Sequence, residues 1–194
     1  MDKDLQRIEL KMLVDGPDQP NLDSLLSVFD RWRKQDNAPS EWIDLADYAH
    51  MPKGPGVLMA GKRENFGVNL IDPGPGIFFT GKKDYSGSTA DRFVEAFRRC
   101  LTLAGALLAE TEYPAAHSPR TGDWLVVVND RLDFPNTAET DGEIRPGLEA
   151  ALGRVFGEGT FTLTRDEDPS HRLGYRVQAA SALSLGELAS RANG

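Results

Sequence analysis

Nine residues, Gly54-Pro55-Gly56-Val57-Leu58-Met59-Ala60-Gly61-Lys62, return twenty positions later as Gly74-Pro75-Gly76-Ile77-Phe78-Phe79-Thr80-Gly81-Lys82, with five identities. Each copy opens on a glycine-proline corner, carries four β-compatible residues and closes on Gly-Lys. Proline fixes φ and lacks an N–H, and glycine reaches turn conformations closed to other residues, so such corners bound strands rather than interrupt them. With the run Phe66–Ile71 between the copies, the block predicts an antiparallel meander of short strands.

The flanking sequence alternates between strand and helix signals. Ile8, Leu10 and Met12 alternate with Glu9, Lys11 and Leu13, which predicts a half-buried strand ending at Asp15-Gly16-Pro17. Asn21 is a suitable N-cap for a helix to about Lys34, with Leu22, Leu25, Leu26, Phe29 and Trp32 at helical spacing. Trp42–Tyr48 reads as a strand, with Ile43 and Leu45 on one face and Asp44 on the other. Ser88 or Thr89 caps a long helix marked by Phe93, Phe97, Leu101 and Leu108. Trp124–Val128 is a continuous apolar strand, followed by a polar connection of 14 residues, Asn129–Gly142. The next helix carries Ile144, Leu148, Leu152 and Phe156, with Pro146 expected only in its first turn. Thr160–Arg165 and Arg172–Ala179 should pair across Asp166–Ser170, and Ser184-Leu185-Gly186-Glu187 is a capping box for a short last helix.

The resulting order is β-α-β-β-β-β-α followed by β-α-β-β-α. Consecutive short strands predict an α+β fold, a mainly antiparallel sheet with helices packed on it. Residues 111–122 carry Pro114, Pro119 and Gly122 and divide the chain into two unequal halves, 1–112 and 120–194, expected to share one core. Both halves begin strand-helix-strand-strand, without side-chain identity between them.

A chain of 194 residues with 40% hydrophobic and 27% charged residues is expected to fold as a soluble globular protein. Its one cysteine, Cys100, excludes an internal disulfide and reads as a small core residue on the long helix. The opening Met1-Asp2-Lys3-Asp4 has no apolar run of the signal-peptide kind, and a cytoplasmic location is expected. Leu101–Ala109, the longest nearly apolar stretch, is well short of the roughly 20 residues of a membrane span, so no membrane role is expected. The formal charge is −8, and the excess is concentrated late: residues 109–194 hold 8 basic and 14 acidic residues. Such a balance disfavours nucleic acid and suits docking of a basic partner.

Several motifs approach known chemistry. Gly56–Lys62 and Gly76–Lys82 approach the phosphate-loop pattern, but Arg63 and Lys83 stand where a hydroxyl should hold magnesium, and the intervening residues are strand-like. Arg31, Arg33 and Lys34 would converge with Lys62, Arg63, Lys82 and Lys83 if the repeated hairpins lie side by side, which reads as charge protecting a sheet edge. His50, His117 and His171 are isolated, and no metal-binding spacing occurs. His50 follows Asp47 and Tyr48, so Asp47 is placed to orient an imidazole as an acid/base pair requires. The polar connection after Val128 offers Asn129, Asp130, Arg131, Asn136 and Thr137 as ligand contacts, with Arg145 on the helix beyond.

Asp44-Leu45-Ala46-Asp47-Tyr48-Ala49-His50 with Gly54-Pro55-Gly56, together with Asn129–Thr140, resembles motifs of an uncharacterised family of bacterial proteins. The resemblance covers most of the chain and implies a bacterial, cytoplasmic origin. It carries no known activity, cofactor or catalytic residue.

Two expectations follow. The first is a non-catalytic binding or interaction module, acting through a protein partner, self-association or a small ligand. The second is an enzyme with His50 and Asp47 as the acid/base pair and Arg131 or Arg145 holding a small anionic substrate. Neither implies a particular cofactor.

Overall fold

The structure is a computed structural model that describes residues 4–16, 22–51, 54–113, 117–180 and 183–194. Twelve elements succeed one another: β1 (Ile8–Asp15), α1 (Asp23–Lys34), β2 (Trp42–Tyr48), β3 (Gly56–Gly61), β4 (Glu64–Asn69), β5 (Gly76–Gly81), α2 (Thr89–Leu108), β6 (Ser118–Val128), α3 (Ala138–Phe156), β7 (Phe161–Arg165), β8 (Gly174–Ala179) and α4 (Leu185–Ala192). All eight strands form one sheet in the order β2-β3-β4-β5-β1-β6-β8-β7, and every neighbouring pair is antiparallel. The fold is α+β.

The repeat becomes two strands flanking a third. Val57 and Ile77, equivalent positions of the two copies, both pair with Val68, and Met59 and Phe79 both pair with Phe66. The Gly-Pro-Gly corner is needed at close range. Gly56 has φ +67°, and a Cβ there would stand 2.0 Å from the Val68 carbonyl oxygen.

Helices cover one face of the sheet. Phe66, Phe79, Leu10 and Val126 share that face by register and are fully buried. α1 packs there on β2 and β3, with Phe29 and Trp32 against Phe66. α2 crosses β1 and β5 and contacts α3 and α4, and Phe97 meets Trp124 and Phe156 edge-on. Cys100 is buried in this layer, where loss of solvent pushes its thiol pKa up. The two halves share one sheet and one core, because β1 pairs with β6 and the last strand of each half closes on its first, β5 on β1 and β8 on β6.

Four local expectations are corrected. β1 is buried on both faces, because the segment Ile71–Gly74 folds over its outer side: Lys11 is 5% exposed and donates to the carbonyls of Ile71 and Gly74, both at 2.6 Å. Ile43 is 61% exposed rather than facing inward with Leu45, because a register shift between Trp42 and Asp44 turns the start of β2. α3 begins at Ala138, so Pro146 lies inside the helix rather than in its first turn. Thr137 caps this helix by accepting from Thr140 N at 3.2 Å, and the acidic Glu139 and Asp141 suit its first turn. The missing Pro146 N–H would have met Gly142, a residue with nothing within 4 Å of a would-be side chain, so that turn faces open space. The polar connection is correspondingly shorter, running from 129 to 137. The proposed cap Asn21 lies outside the described residues, and α1 starts at Asp23 without a side-chain cap at Leu22.

Candidate anion-binding cleft

Four segments meet above the meander end of the sheet. α1 delivers Arg33 in its last turn, then closes at Gln35, and the connection to β2 carries Ser40 and Glu41 past the sheet. β3 and β4 are joined by two residues, Lys62 and Arg63, which places both bases at a hairpin tip. α2 turns Arg98 and Arg99 toward that tip. Between them lies a cleft of about 550 Å³, with Trp32 and Trp42 among its walls.

The floor is a buried charge network. Glu64 is 5% exposed, accepts from Ser40 Oγ and lies 3.7 Å from the Arg99 guanidinium. Arg99 also donates to Glu95 at 2.7 Å and to the carbonyls of Lys83 and Asp84 at 3.3 and 3.0 Å, with its guanidinium 4.7 Å from the Tyr85 ring centroid. Arg98 grips the same Glu95 with two bonds of 2.6 and 2.7 Å. Burial opposes charge on Glu95, but the two arginines outweigh it and hold its carboxyl below the usual range.

The rim bases are steadied by carboxylates. Arg33 pairs with Asp30 at 3.0 Å, Arg63 with Asp84 at 3.0 Å and Lys62 with Glu41 at 3.1 Å. Of these acids only Glu41 lines the cleft; Asp30, Asp84 and Glu95 act from outside it. Trp42 Nε1 is buried without a hydrogen-bond partner, an uncompensated donor in the cleft wall. The lining therefore carries five basic side chains against three carboxylates, in a chain whose formal charge is −8. It contains no histidine or cysteine. Such an arrangement suits charge-assisted hydrogen bonding to anionic oxygens, since guanidinium forks match carboxylate and phosphate.

Part of this convergence was legible in the sequence. Arg33, Lys62 and Arg63 do meet, whereas Arg31 turns away to Glu110 and Glu112 and Lys34 pairs with Asp30. Arg98, Arg99, Glu64 and Trp42 were not anticipated. The phosphate-loop resemblance dissolves, because Gly61-Lys62 runs into a hairpin and not a helix.

The other candidate residues lie elsewhere. Asp47, Tyr48 and His50 are exposed at the end of edge strand β2, and Asp47 Oδ1 accepts from Ala49 N at 2.9 Å. β6, whose end leads to Arg131, lies five strand spacings from β2, about 24 Å away across the sheet. The fold therefore does not bring the Asp47–His50 pair together with Arg131, nor with Arg145 on the helix beyond.

In the connection after β6, hydrogen bonds are spent on the fold. Asp130 accepts from Leu132 N at 3.2 Å, and Arg131 donates to the Ser170 carbonyl. Asn136, 5% exposed, donates to the carbonyls of Asp166 and Asp168 at 2.8 and 2.9 Å and accepts from Arg165 at 3.1 Å. Thr137 is the helix cap, Arg145 pairs with Asp141 at 3.2 Å and Asn129 accepts from Arg172 at 2.9 Å.

His117 is buried with Nε2 unpartnered, and burial lowers its pKa. His171 Nδ1 lies 2.7 Å from Asp166, whose hydrogen bond raises its pKa. Among the described residues, no group of three or more His, Cys, Asp or Glu is arranged to hold a metal ion, and no helix is long and apolar enough to cross a membrane.

No protein-family model, curated protein or solved structure matches the chain.

Proposed function

We propose that the protein is a non-catalytic binding module whose cleft between α1, the β3–β4 turn and α2 takes a small polyanion bearing phosphate or carboxylate groups. The observation that carries this reading is the convergence of five basic side chains on one cavity of about 550 Å³ in a net-acidic chain. That volume falls in the range of small-molecule pockets, roughly 300–1,000 Å³. Arg63 from the β3–β4 turn and Arg98 from α2 both line the cleft, so an anion bound between them would gain charge-assisted bonds from both. The buried Trp42 Nε1 would gain an acceptor at the same time.

Isothermal titration with pyrophosphate and with citrate tests the reading. At least one should bind, and Arg63→Ala with Arg98→Ala should weaken it by about tenfold or more, the scale of a lost charged hydrogen bond. Absence of heat with both probes at millimolar concentration, or binding indifferent to the two substitutions, would overturn it.

A further inference from the structure

The opposite, helix-free face of the sheet holds a second cavity, of about 360 Å³, beside the start of β1 and the end of β6. Register defines its floor: Asn65 pairs with Thr80 on the face away from the helices, while Glu9, next to Thr80 on β1, lies outside the lining and pairs with Arg172 at 2.9 Å. Arg7, Lys82 and Asn129 close the end of the cavity beyond the strands.

Its chemistry is one-sided. The lining contains two bases and no carboxylate. Among the described residues Arg7, an exposed side chain, has no acidic partner, unlike the paired bases of the first cleft. Lys82 donates to the Gly61 carbonyl at 2.8 Å, and its desolvation lowers its pKa. Asn129 Oδ1 is occupied by Arg172 at 2.9 Å. Asn65 Oδ1, by contrast, is buried without a partner, and a buried acceptor remains costly until a donor reaches it.

A free guanidinium at one end and an unmet acceptor on the floor ask for one molecule with an anionic group and a nearby donor. Asn65 on β4 and Arg7 beside β1 are separated by two strand spacings, about 10 Å, part of which the arginine side chain spans. We propose that this cavity is a separate binding site for a small hydroxycarboxylate. Its carboxylate lies on the Arg7 fork with Lys82 adding charge, and a hydroxyl donates to Asn65 Oδ1. The site is independent of the polyanion cleft, from which the sheet divides it.

The test is titration of the intact chain with gluconate and with hexanoate, an acid of equal carbon number without hydroxyls. Gluconate should bind one molecule per chain, at least tenfold tighter than hexanoate. Arg7→Ala should weaken gluconate at least tenfold, Arg7→Lys should restore part of the loss, and Asn65→Leu should abolish the preference for gluconate. Arg63→Ala with Arg98→Ala should leave gluconate binding unchanged, which separates this site from the cleft. If Asn65→Leu fails to fold, the gluconate-to-hexanoate ratio and the Arg7 pair still decide. Equal affinity for the two acids, no binding of either, or gluconate binding unaffected by Arg7→Ala overturns the proposal.

Discussion

Lys11 lies across Gly76, and the glycine leaves the room for it: a Cβ on Gly76 would stand 2.6 Å from Lys11 Cε. The ammonium is thereby held at the carbonyls of Ile71 and Gly74, under the cover of the segment that joins β4 to β5. Desolvation outweighs the attraction of Glu9 and Asp72 and lowers its pKa from 10.5 to about 8. Between these values the unfolded chain binds the proton and the folded chain does not, so the Lys11 contribution to stability rises with pH across that window. Urea unfolding of the wild type and Lys11→Met at pH 7 and pH 10 should show the difference shifting toward the wild type by up to about 3 kcal/mol. A constant difference would remove the burial argument.

Arg99 and Glu64 form a second dependent pair. Arg99 is 8% exposed and Glu64 5%, so removing the guanidinium strands a buried carboxylate. Arg99→Met should cost about 3 kcal/mol in urea unfolding, and adding Glu64→Gln should recover part of it. If the double variant is no more stable than the single one, the 3.7 Å approach contributes nothing.

Asn136 is a structural bracket between the connection after β6 and the β7–β8 turn. Asn136→Ala abandons two donations and one acceptance in a buried position and should cost about 2 kcal/mol. Pyrophosphate affinity should stay the same. Thermal melts beside titrations separate the two effects, and a loss of affinity without a loss of stability would make Asn136 a ligand contact after all.

Pro146 is the position where stability is most readily gained. It sits nine residues into α3, where an alanine restores the missing N–H. Pro146→Ala should raise stability by about 1–3 kcal/mol, below or at the usual cost of an interior proline because the turn faces open space. A destabilised variant would show that the helix is shaped around its proline.

What was legible in the sequence was local. The glycine-proline corners announced the meander, and the Ser184–Glu187 capping box marked the start of α4. The cap of α2 was narrowed to Ser88 or Thr89, of which Ser88 serves, with Asp91 closing the box; in each case the groups that meet lie within a turn of one another. The inward-facing side of α2 was equally plain from Phe93, Phe97 and Leu101. The role of Arg98 and Arg99 was not, since nothing in the helix says that the β3–β4 turn and the end of α1 will share a cleft with them. β1 was misread as half-buried for the same reason: the cover over Lys11 comes from Ile71, sixty residues away. Pro146 misled in the other direction, as a local rule overridden by the cap at Thr137 and the packing of Ile144, Leu148 and Leu152.

The sheet order also carries a timetable. β1 leaves the ribosome before both of its neighbours, β5, which ends at Gly81, and β6, which ends at Val128. The meander of β2 to β5 closes through contacts between adjacent segments, whereas β1 has to wait for distant ones. During synthesis Ile8, Leu10 and Met12 therefore remain without a complete sheet around them until Val128 has emerged, more than a hundred residues later, a long interval for an apolar strand to go unpaired.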